Sequence, residues 1–183
     1  MPGSDDADLT NTDFDERVEM GPKTRWFWDP LACQHVSRYL LAHSRVIGDE
    51  IFDVGCGTGY GSALLARDRR RKVIGIDLSQ SAVAFASAAW RRPNLSFRVA
   101  DALKLEVPPG SADSVVTFET IEHVTDPGQF VDKIADLLRP GGRLVLSTPD
   151  RTYYSPGSGP GESHNPFHPS EMTRGELLDL IRS

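Results

Sequence analysis

The chain has 183 residues, of which 39% are hydrophobic and 25% charged, and its formal net charge is −6. This length suits a single domain with one core, and the acidic balance disfavours general nucleic-acid binding because phosphate contacts need a basic face. No window approaches the run of about 20 apolar residues that a membrane span needs, and two cysteines are too few for a disulfide framework, so we expect a cytoplasmic protein without a membrane span.

The predicted elements begin after an acidic leader. Residues 1–20 are acidic and poor in large apolar side chains, so we expect this leader to be mobile. A single domain is then expected over residues 21–183. Its first helix is predicted to begin at Asp29 and Pro30, since Asp is a common N-cap and Pro a common first helical residue, and to run to about Ser44.

From residue 51 onward, short apolar segments alternate with helix-sized segments. This alternation is typical of βαβ units and a parallel sheet. We therefore expect an α/β fold with a Rossmann-like, doubly wound, mostly parallel sheet flanked by helices. The strand-sized segments are residues 51–54, 72–78, 95–100, 114–118 and 143–147.

Three helices are predicted between these strands. The first covers residues 62–70, and the second is capped by Ser79 or Ser81 and runs through Trp90. The third begins at a second Asp-Pro pair, at residue 126, and ends near residue 139. The Pro-Gly-Gly sequence that follows predicts a turn into the fifth strand.

The segment after the fifth strand differs in composition from the rest. Residues 149–169 are rich in Pro, Gly and Ser, which is typical of either a flexible lid or a disordered insert, and we expect a flexible lid. Beyond this lid, Thr173 and Glu176 have the spacing of a capping box, which predicts a last amphipathic helix. The sequence ends inside that helix, at Ser183.

A glycine loop follows the first predicted strand, where residues 53–59 read Asp-Val-Gly-Cys-Gly-Thr-Gly. Glycines let the backbone turn tightly and let a ligand approach closely. The N–H groups at the start of the following helix favour an anionic ligand group. Because ligands of doubly wound sheets bind at the carboxyl ends of the strands, the glycine loop predicts a ligand site there.

The spacing of the glycines distinguishes two cofactors. A dinucleotide fingerprint needs a third glycine where this chain has Tyr60. The pattern D-x-G-x-G-x-G instead resembles the first motif of class I S-adenosylmethionine-dependent methyltransferases. Asp77 follows the second strand and is placed to accept both ribose hydroxyls, while Asp101 matches the family's acidic residue that faces the adenine amino group. With residues 137–146, which are similar to the family's approach to its fifth strand, the resemblance covers roughly residues 48–150.

The resemblance implies S-adenosylmethionine as the cofactor and assigns residues to it at four strand ends. The glycines alone would also fit a simple tight turn, an alternative that Asp77 and Asp101 disfavour. Cys56 is expected only to pack beside the ligand, and Arg38 is a candidate partner for the cofactor carboxylate. The predicted cofactor-binding residues are Asp53, Gly55, Cys56, Gly57, Gly59, Tyr60, Asp77, Leu78, Asp101, Ala102, Phe118 and Glu119.

A group of acidic and histidine residues follows the fourth predicted strand. If the chain turns helical there, Glu119, Glu122 and His123 lie on one face at positions i, i+3 and i+4. His168, in the lid, offers a further imidazole. Carboxylates and imidazoles so placed could hold a divalent cation, so we predict these four residues as ligands of Mg²⁺ or Mn²⁺, although Fe²⁺ or Zn²⁺ would suit two imidazoles equally.

The chemistry expected from this group has two forms. A bound cation would lower the pKa of an acceptor hydroxyl and orient it. Without a metal, His123 or His168 could act as a catalytic general base, since the pKa of histidine is near neutral. A third interpretation, in which Glu122 and His123 only cap and pair at the strand–helix junction, stays open.

The E-x-x-E-H pattern with a later histidine suggests the kind of acceptor. It resembles ubiquinone-pathway O-methyltransferases, the enzymes that 2′-O-methylate small-RNA 3′ ends, and methyltransferases of sugar and glycan modification. These resemblances imply methyl transfer to a hydroxyl of a small molecule such as a sugar or a quinone precursor. Two alternatives are a catalytically silent cofactor-binding module and a nicotinamide-dependent oxidoreductase.

The end of the chain departs from the family pattern. Sheets of the family contain seven strands, the last two of which lie beside the fifth, and this sequence ends in the preceding helix. We expect either a shortened form of a longer protein or a fifth strand covered by the N-terminal segment or by a second copy in a homo-oligomer, because an open edge invites aggregation.

Overall fold

The computed structural model describes residues 20–22 and 29–183, so most of the predicted leader lies outside the described residues. Short 3₁₀ turns cover Ala102–Lys104 and Ile121–His123. The helices are α1 (Pro30–Arg45), α2 (Tyr60–Leu65), α3 (Gln80–Ala89), α4 (Pro127–Leu137), α5 (Arg151–Tyr154) and α6 (Arg174–Arg182). The strands are β1 (Glu50–Val54), β2 (Lys72–Asp77), β3 (Leu95–Val99), β4 (Ala112–Phe118) and β5 (Leu138–Ser147).

The strands form one parallel sheet in the order β3-β2-β1-β4-β5. In its register, Ile51 at the centre lies opposite Val73 on one side and Ser114 on the other. The strand order reverses between β1 and β4, which is the point where doubly wound sheets open a ligand crevice at their carboxyl ends. The predicted Rossmann-like α/β fold is confirmed.

The central strands β1, β2 and β4 are buried on both faces, toward which their side chains point in alternation. On one face, Phe52 packs in a cluster with Phe130 of α4. On the other, the neighbouring Ile51 packs with Tyr39 of α1 and Leu65 of α2. The central strands therefore have little freedom to move, and they hold their carboxyl ends in fixed positions.

The helix starts predicted from capping signals are confirmed. The Asp29 carboxylate accepts a hydrogen bond from the Leu31 N–H at 2.9 Å, and Asp126 does the same for Gln129 at 2.9 Å. The capping box at the start of α6 is present with both of its bonds. Among the described residues, no helix combines the length and apolar character that crossing a bilayer requires.

Two predicted boundaries were wrong, and each has a local cause. Helix α2 ends at Leu65 instead of residue 70, where the Asn94 side-chain amide donates to the carbonyls of Ala66 and Arg71 at 3.0 and 2.7 Å. Strand β5 begins at Leu138, and the residues that were predicted as a turn, 140–142, lie in a bulge between the paired positions Leu138 and Arg143.

The predicted lid, residues 149–169, contains α5 and a loop with its own hydrogen bonds. The Arg151 N–H donates to the Met172 carbonyl at 3.0 Å, and Ser158 N–H donates to Ser155 at 3.1 Å. The segment leads from the end of β5 back toward the carboxyl edge of the sheet. Its flexibility stays a prediction.

Candidate functional site

A cavity of about 930 Å³ opens at the carboxyl ends of the central strands. Its volume is in the range of small-molecule sites, about 300–1,000 Å³. The glycine loop and the strand ends form one part of its wall, and residues of the segment 164–171 form another. The predicted site residues that line it are Gly55, Cys56, Gly57, Tyr60, Asp77, Leu78, Asp101, Ala102, Phe118, Glu119, Glu122, His123 and His168.

The backbone of the glycine loop needs its glycines for two different reasons. Gly55 has φ 78°, and a Cβ there would overlap the side chain of Thr120. Gly57 has φ 52°, and no atom lies within 4 Å of the place where its Cβ would be. Gly55 therefore permits close packing within the protein, whereas Gly57 leaves open space on the side of the cavity.

Two predicted cofactor residues, Asp53 and Gly59, lie behind the cavity wall instead of lining it. Asp53 is fully buried and accepts hydrogen bonds from Tyr39 Oη at 3.0 Å and Ser62 Oγ at 2.5 Å. Burial raises the pKa of Asp53 to about 7, although both hydrogen bonds oppose the rise. Gly59 has φ 78°, and a Cβ there would contact Ala86. Both residues shape the loop from behind.

Two carboxylates, those of Asp77 and Asp101, also line the cavity. Asp77 accepts hydrogen bonds from the Gly57 N–H at 2.7 Å and the Ser79 N–H at 2.9 Å, so the end of β2 is tied to the glycine loop. Asp101, just after β3, accepts from the Leu103 N–H at 3.0 Å. Asp77 and Asp101 thus stand at adjacent strand ends, which suits the hydroxyl and amino groups of an adenosine.

Arg38 of α1 offers a positive group in the same cavity. Its Nη2 lies 3.5 Å from Glu119 Oε2, and its Nη1 is buried without a hydrogen-bond partner. Leaving a buried donor unpaired costs about 1–3 kcal/mol. A ligand carboxylate would satisfy this donor. Arg38, Gly57 and Asp77 together fit the predicted cofactor, which has a carboxylate at one end and a ribose toward the other.

The helical face proposed for Glu119, Glu122 and His123 is not formed. Glu119 has φ 50° and its Oε1 accepts a hydrogen bond from Ser147 Oγ at 2.7 Å. Only Ile121–His123 turns, as a short 3₁₀ segment. The left-handed residue after β4 breaks the helical spacing, so Glu119 points to Ser147 and Arg38.

Three of the four predicted metal ligands meet in the cavity. Glu122, His123 and His168 offer ligand atoms that all lie within 4.8 Å of one another, and we call them the Glu–His–His cluster. The imidazole rings of His123 and His168 are edge-to-face, with centroids 4.7 Å apart. Glu119 is not part of this group. The assignment of a metal stays a prediction.

Glu122 is the buried carboxyl of the cluster. Its side chain is fully inaccessible to solvent, and burial raises its pKa to about 7. Oε2 accepts a hydrogen bond from Thr148 Oγ1 at 2.9 Å, whereas Oε1 is buried without a hydrogen-bond partner. An unpaired buried oxygen is costly, and a cation or a donor from a ligand would satisfy it. This oxygen is the observation that makes the donor set fit a metal.

Several residues around the cluster were not predicted. Thr148 holds Glu122, and Glu171 bonds the ring of His168. Glu171 lies three positions after His168, and this acid–histidine spacing is the signal that could have identified it. No local signal pointed to Tyr39, which reaches Asp53 only through the packing of α1 on the sheet.

Comparisons with known proteins agree with this architecture. Residues 52–146 match the family model described as methyltransferase domain. A probable S-adenosylmethionine-dependent methyltransferase of Mycolicibacterium smegmatis is 41% identical over 143 residues, which cover 78% of this chain and 53% of that protein. A ubiquinone biosynthesis O-methyltransferase of Xanthomonas campestris is 34% identical over 162 residues, which cover 82% of this chain and 66% of that protein. The chain thus spans about half the length of the M. smegmatis relative.

The fold has counterparts among solved structures. The complex between the Haloferax volcanii Trm112 methyltransferase activator and the putative methyltransferase contains a chain that matches with a TM-score of 0.70 at 22% identity, over 90% of this chain and 76% of that one. At this identity the match concerns the fold alone. From the matched family model and the relatives above 30% identity, the chain belongs to the class I S-adenosylmethionine-dependent methyltransferases.

Proposed function

We propose that the chain transfers the methyl group of S-adenosylmethionine to a hydroxyl oxygen of a small-molecule acceptor, and that a divalent cation at the Glu–His–His cluster assists. The observation that carries the proposal is one cavity whose walls include both the glycine loop and this cluster. One ligand can therefore lie against the loop while a second ligand reaches the cluster.

The cofactor half of the cavity provides a partner for each polar end of S-adenosylmethionine. Asp77 would accept hydrogen bonds from the ribose hydroxyls, and Asp101 would face the adenine amino group. The unpaired Nη1 of Arg38 would bind the carboxylate of the amino-acid end. When bound, this cofactor supplies a methyl group on a positively charged sulfur, which is a strong electrophile.

The transfer itself is a simple displacement. The acceptor oxygen forms a bond to the methyl carbon while the carbon–sulfur bond breaks, and the electron pair of that bond stays on sulfur. The proton of the acceptor hydroxyl must leave, and an imidazole nitrogen of His123 or His168 is the group that can take it. Both rings line the cavity, which supports their role as the proton acceptor.

The Glu–His–His cluster supplies one carboxylate and two imidazoles, a donor set that suits Mn²⁺, Fe²⁺ and Zn²⁺ as well as Mg²⁺. The unpaired Oε1 of Glu122 supports a cation there. A cation held by these three residues would supply the Lewis acidity that lowers the pKa of the acceptor hydroxyl. His123 and His168 would then act as ligands, with the base role as the alternative.

The similarity to a ubiquinone biosynthesis O-methyltransferase supports oxygen as the acceptor atom. The net charge of −6 disfavours a nucleic-acid acceptor, so a small hydroxyl compound is the class we propose. Tyr154, at the end of α5, and His164, in the loop that follows, also line the cavity and are candidates to contact such an acceptor.

Two measurements test the proposed function. Calorimetric titration with S-adenosylhomocysteine should show binding, and transfer of labelled methyl to a panel of phenols, catechols and sugars should depend on Mn²⁺ or Mg²⁺. Tight binding without transfer to any acceptor would favour a catalytically silent module. Binding of NADH but not of S-adenosylhomocysteine would contradict the proposal altogether.

A further inference from the structure

His168 is held on both sides of its ring by the loop that precedes α6. Its Nδ1 lies 2.7 Å from Glu171 Oε1, and both side chains are buried, with 7% and 2% of their surfaces exposed. Its Nε2 lies 3.2 Å from Nδ2 of the Asn165 amide. Each of these contacts constrains where the imidazole proton resides.

The contacts agree on one tautomer. An ionised carboxylate can only accept, so Nδ1 of His168 carries the proton and donates it to Glu171. The Asn165 amide is oriented by its own oxygen, which accepts a hydrogen bond from the Phe167 N–H at 3.0 Å. Its Nδ2 therefore faces His168 as a donor, and Nε2 of the ring must accept. These contacts place the proton of the ring on Nδ1 and its lone pair on Nε2.

Glu171 is itself fixed, so it cannot turn away from His168. Its Oε2 accepts a hydrogen bond from Ser155 Oγ at 2.6 Å, and its carbonyl accepts from the buried guanidinium of Arg151 at 2.9 Å. The same loop is tied to the cluster, because the Ser170 N–H donates to the Glu122 carbonyl at 3.1 Å. A carboxylate that is bonded by Ser155, on a backbone that is held by Arg151, can impose an orientation on the ring that it bonds.

His123 is oriented in the same way. Its Nδ1 lies 2.8 Å from the Phe167 carbonyl, which can only accept, so Nδ1 carries a proton, and in the neutral ring the lone pair is on Nε2. One short stretch, residues 165–171, therefore determines the tautomers of both imidazoles. Both rings are prepared to present the nitrogen that a metal or a transferred proton requires.

We infer that Glu171 is a positioning residue: it holds His168 in the Nδ1–H tautomer and keeps the Nε2 lone pair beside Glu122 and His123. The Asn165 amide donates to that lone pair, so a cation or the acceptor proton would have to replace this hydrogen bond. What binds at Nε2 rests on the proposed function, whereas the tautomer does not. The tautomer of His168 and the identity of the ligand at Nε2 can therefore be disproved separately.

The test compares Glu171→Ala with Glu176→Gln in the full chain. Glu176 is the matched control, since it pairs with Arg151 at 2.7 Å in the same network and has no contact with either cluster histidine among the hydrogen bonds of the described residues. Nitrogen-15 NMR of labelled histidine in metal-free protein reports the tautomer of His168, assigned by its loss in His168→Gln. Mn²⁺ titration followed by electron paramagnetic resonance reports the affinity of the cluster.

We expect the Nδ1–H form of His168 in the wild type and in Glu176→Gln, and a mixture with the Nε2–H form in Glu171→Ala. Loss of an outer partner of a metal ligand typically weakens binding about 10–100-fold, so Mn²⁺ affinity should fall by this factor in Glu171→Ala while the affinity for S-adenosylhomocysteine is unchanged. A wild-type His168 in the Nε2–H form overturns the inference, and this measurement decides even if Glu171→Ala does not fold.

The remaining outcomes separate the inference from the proposed function. If the wild type binds Mn²⁺ and Glu171→Ala binds it equally well, Glu171 does not position the ring. In another outcome, the wild type binds no Mn²⁺ while the Nδ1–H form is lost in Glu171→Ala and kept in Glu176→Gln. That result supports the positioning role of Glu171 and removes the metal from the proposed function. His168 would then be positioned as the general base.

Discussion

The two halves of the cavity are built in different ways. The cofactor half consists of strand ends and the glycine loop, and its central contacts are made by backbone groups, such as the Gly57 N–H that bonds Asp77. The acceptor half brings His168, from the loop before α6, against Glu122 and His123, which follow β4, and it is held by side-chain hydrogen bonds. The first half is determined by sheet topology and the second by loop packing.

This difference has a functional consequence. Strand ends that are buried on both faces keep their positions, so the cofactor half can bind the same ligand throughout a large family. A loop that is fixed by side chains can change by a few substitutions, which is where acceptor specificity is expected to vary. Mutations in the two halves should therefore affect different measurements.

The largest effect is expected from His168→Gln. Removing a group that holds a cation or takes a proton should lower the rate of methyl transfer about 10²–10⁴-fold. The affinity for S-adenosylhomocysteine should not change, because His168 belongs to the acceptor half. Steady-state kinetics and calorimetry measure the two quantities, and the half-buried His43→Gln, which lies outside the cavity lining, serves as the control. If His168→Gln lowered the affinity for S-adenosylhomocysteine as much as the rate of methyl transfer, the two halves of the cavity would not be independent.

The second-largest effect is expected from a change in the cofactor half, which should weaken cofactor binding and leave the acceptor half intact. Asp77→Ala removes the bond from the Gly57 N–H together with the proposed ribose contacts. Hydrogen bonds to charged groups contribute about 1.5–3 kcal/mol, so the Kd for S-adenosylhomocysteine should rise about 10–100-fold or more. Mn²⁺ binding at the Glu–His–His cluster should be unaffected. A variant with unchanged Kd would remove Asp77 from the cofactor site.

A third prediction concerns the pH dependence of stability in the cofactor half. Because the pKa of Asp53 is raised to about 7 in the folded chain, the folded state holds a proton that the unfolded state has lost between about pH 4 and 7. The stability that Asp53 contributes by holding this proton is therefore fully present below about pH 4 and is lost as the pH rises to about 7. The raised pKa of Glu122 makes stability depend on pH in the same direction. The effect of Asp53 must therefore be measured against a variant that differs only at that residue.

Urea unfolding of the wild type and Asp53→Asn at several pH values provides that comparison. The difference in unfolding free energy between the two proteins should change over this range, in the direction that favours the wild type more at low pH than at pH 7. A difference that stays constant with pH would show that Asp53 is already ionised in the folded protein.

The smallest effect is expected on stability, from a change at the start of α6, the helix that follows the loop of the acceptor half. Thr173→Ala removes the side chain that caps α6, which should cost about 1 kcal/mol of stability. The matched variant Thr173→Ser keeps the hydroxyl and should retain most of that stability. Chemical denaturation measures both, and Thr173→Ala should leave the Kd for S-adenosylhomocysteine unchanged. Equal stabilities for the two variants would rule out a contribution from the cap.

The same division explains what could be predicted from the sequence. Helix starts at Asp29 and Asp126 depend on side chains one to three residues away, so a local pattern was sufficient. The parallel sheet follows from the alternation of elements, and with it the position of Asp77 and the glycine loop at the same edge of that sheet. These are properties of neighbouring residues and of a common topology.

The errors arose where distant contacts decide the local conformation. Helix α2 ends early where Asn94, more than twenty residues downstream, donates to the carbonyls of Ala66 and Arg71, just beyond the helix. Glu119 has a left-handed backbone and turns to Ser147, so the expected helical face did not form. Glu171 was passed over because its role depends on the fold of the loop around His168, and hydrophobic or capping patterns carry no signal for that.

The central claim is that one cavity joins a cofactor site to a cation-binding cluster. Anomalous diffraction from crystals grown with S-adenosylhomocysteine and Mn²⁺ tests it most directly. We expect the adenosine to lie against Asp77 and Asp101, with an anomalous peak among Glu122, His123 and His168. A cavity filled by side chains, or a nucleoside bound away from the glycine loop, would contradict it.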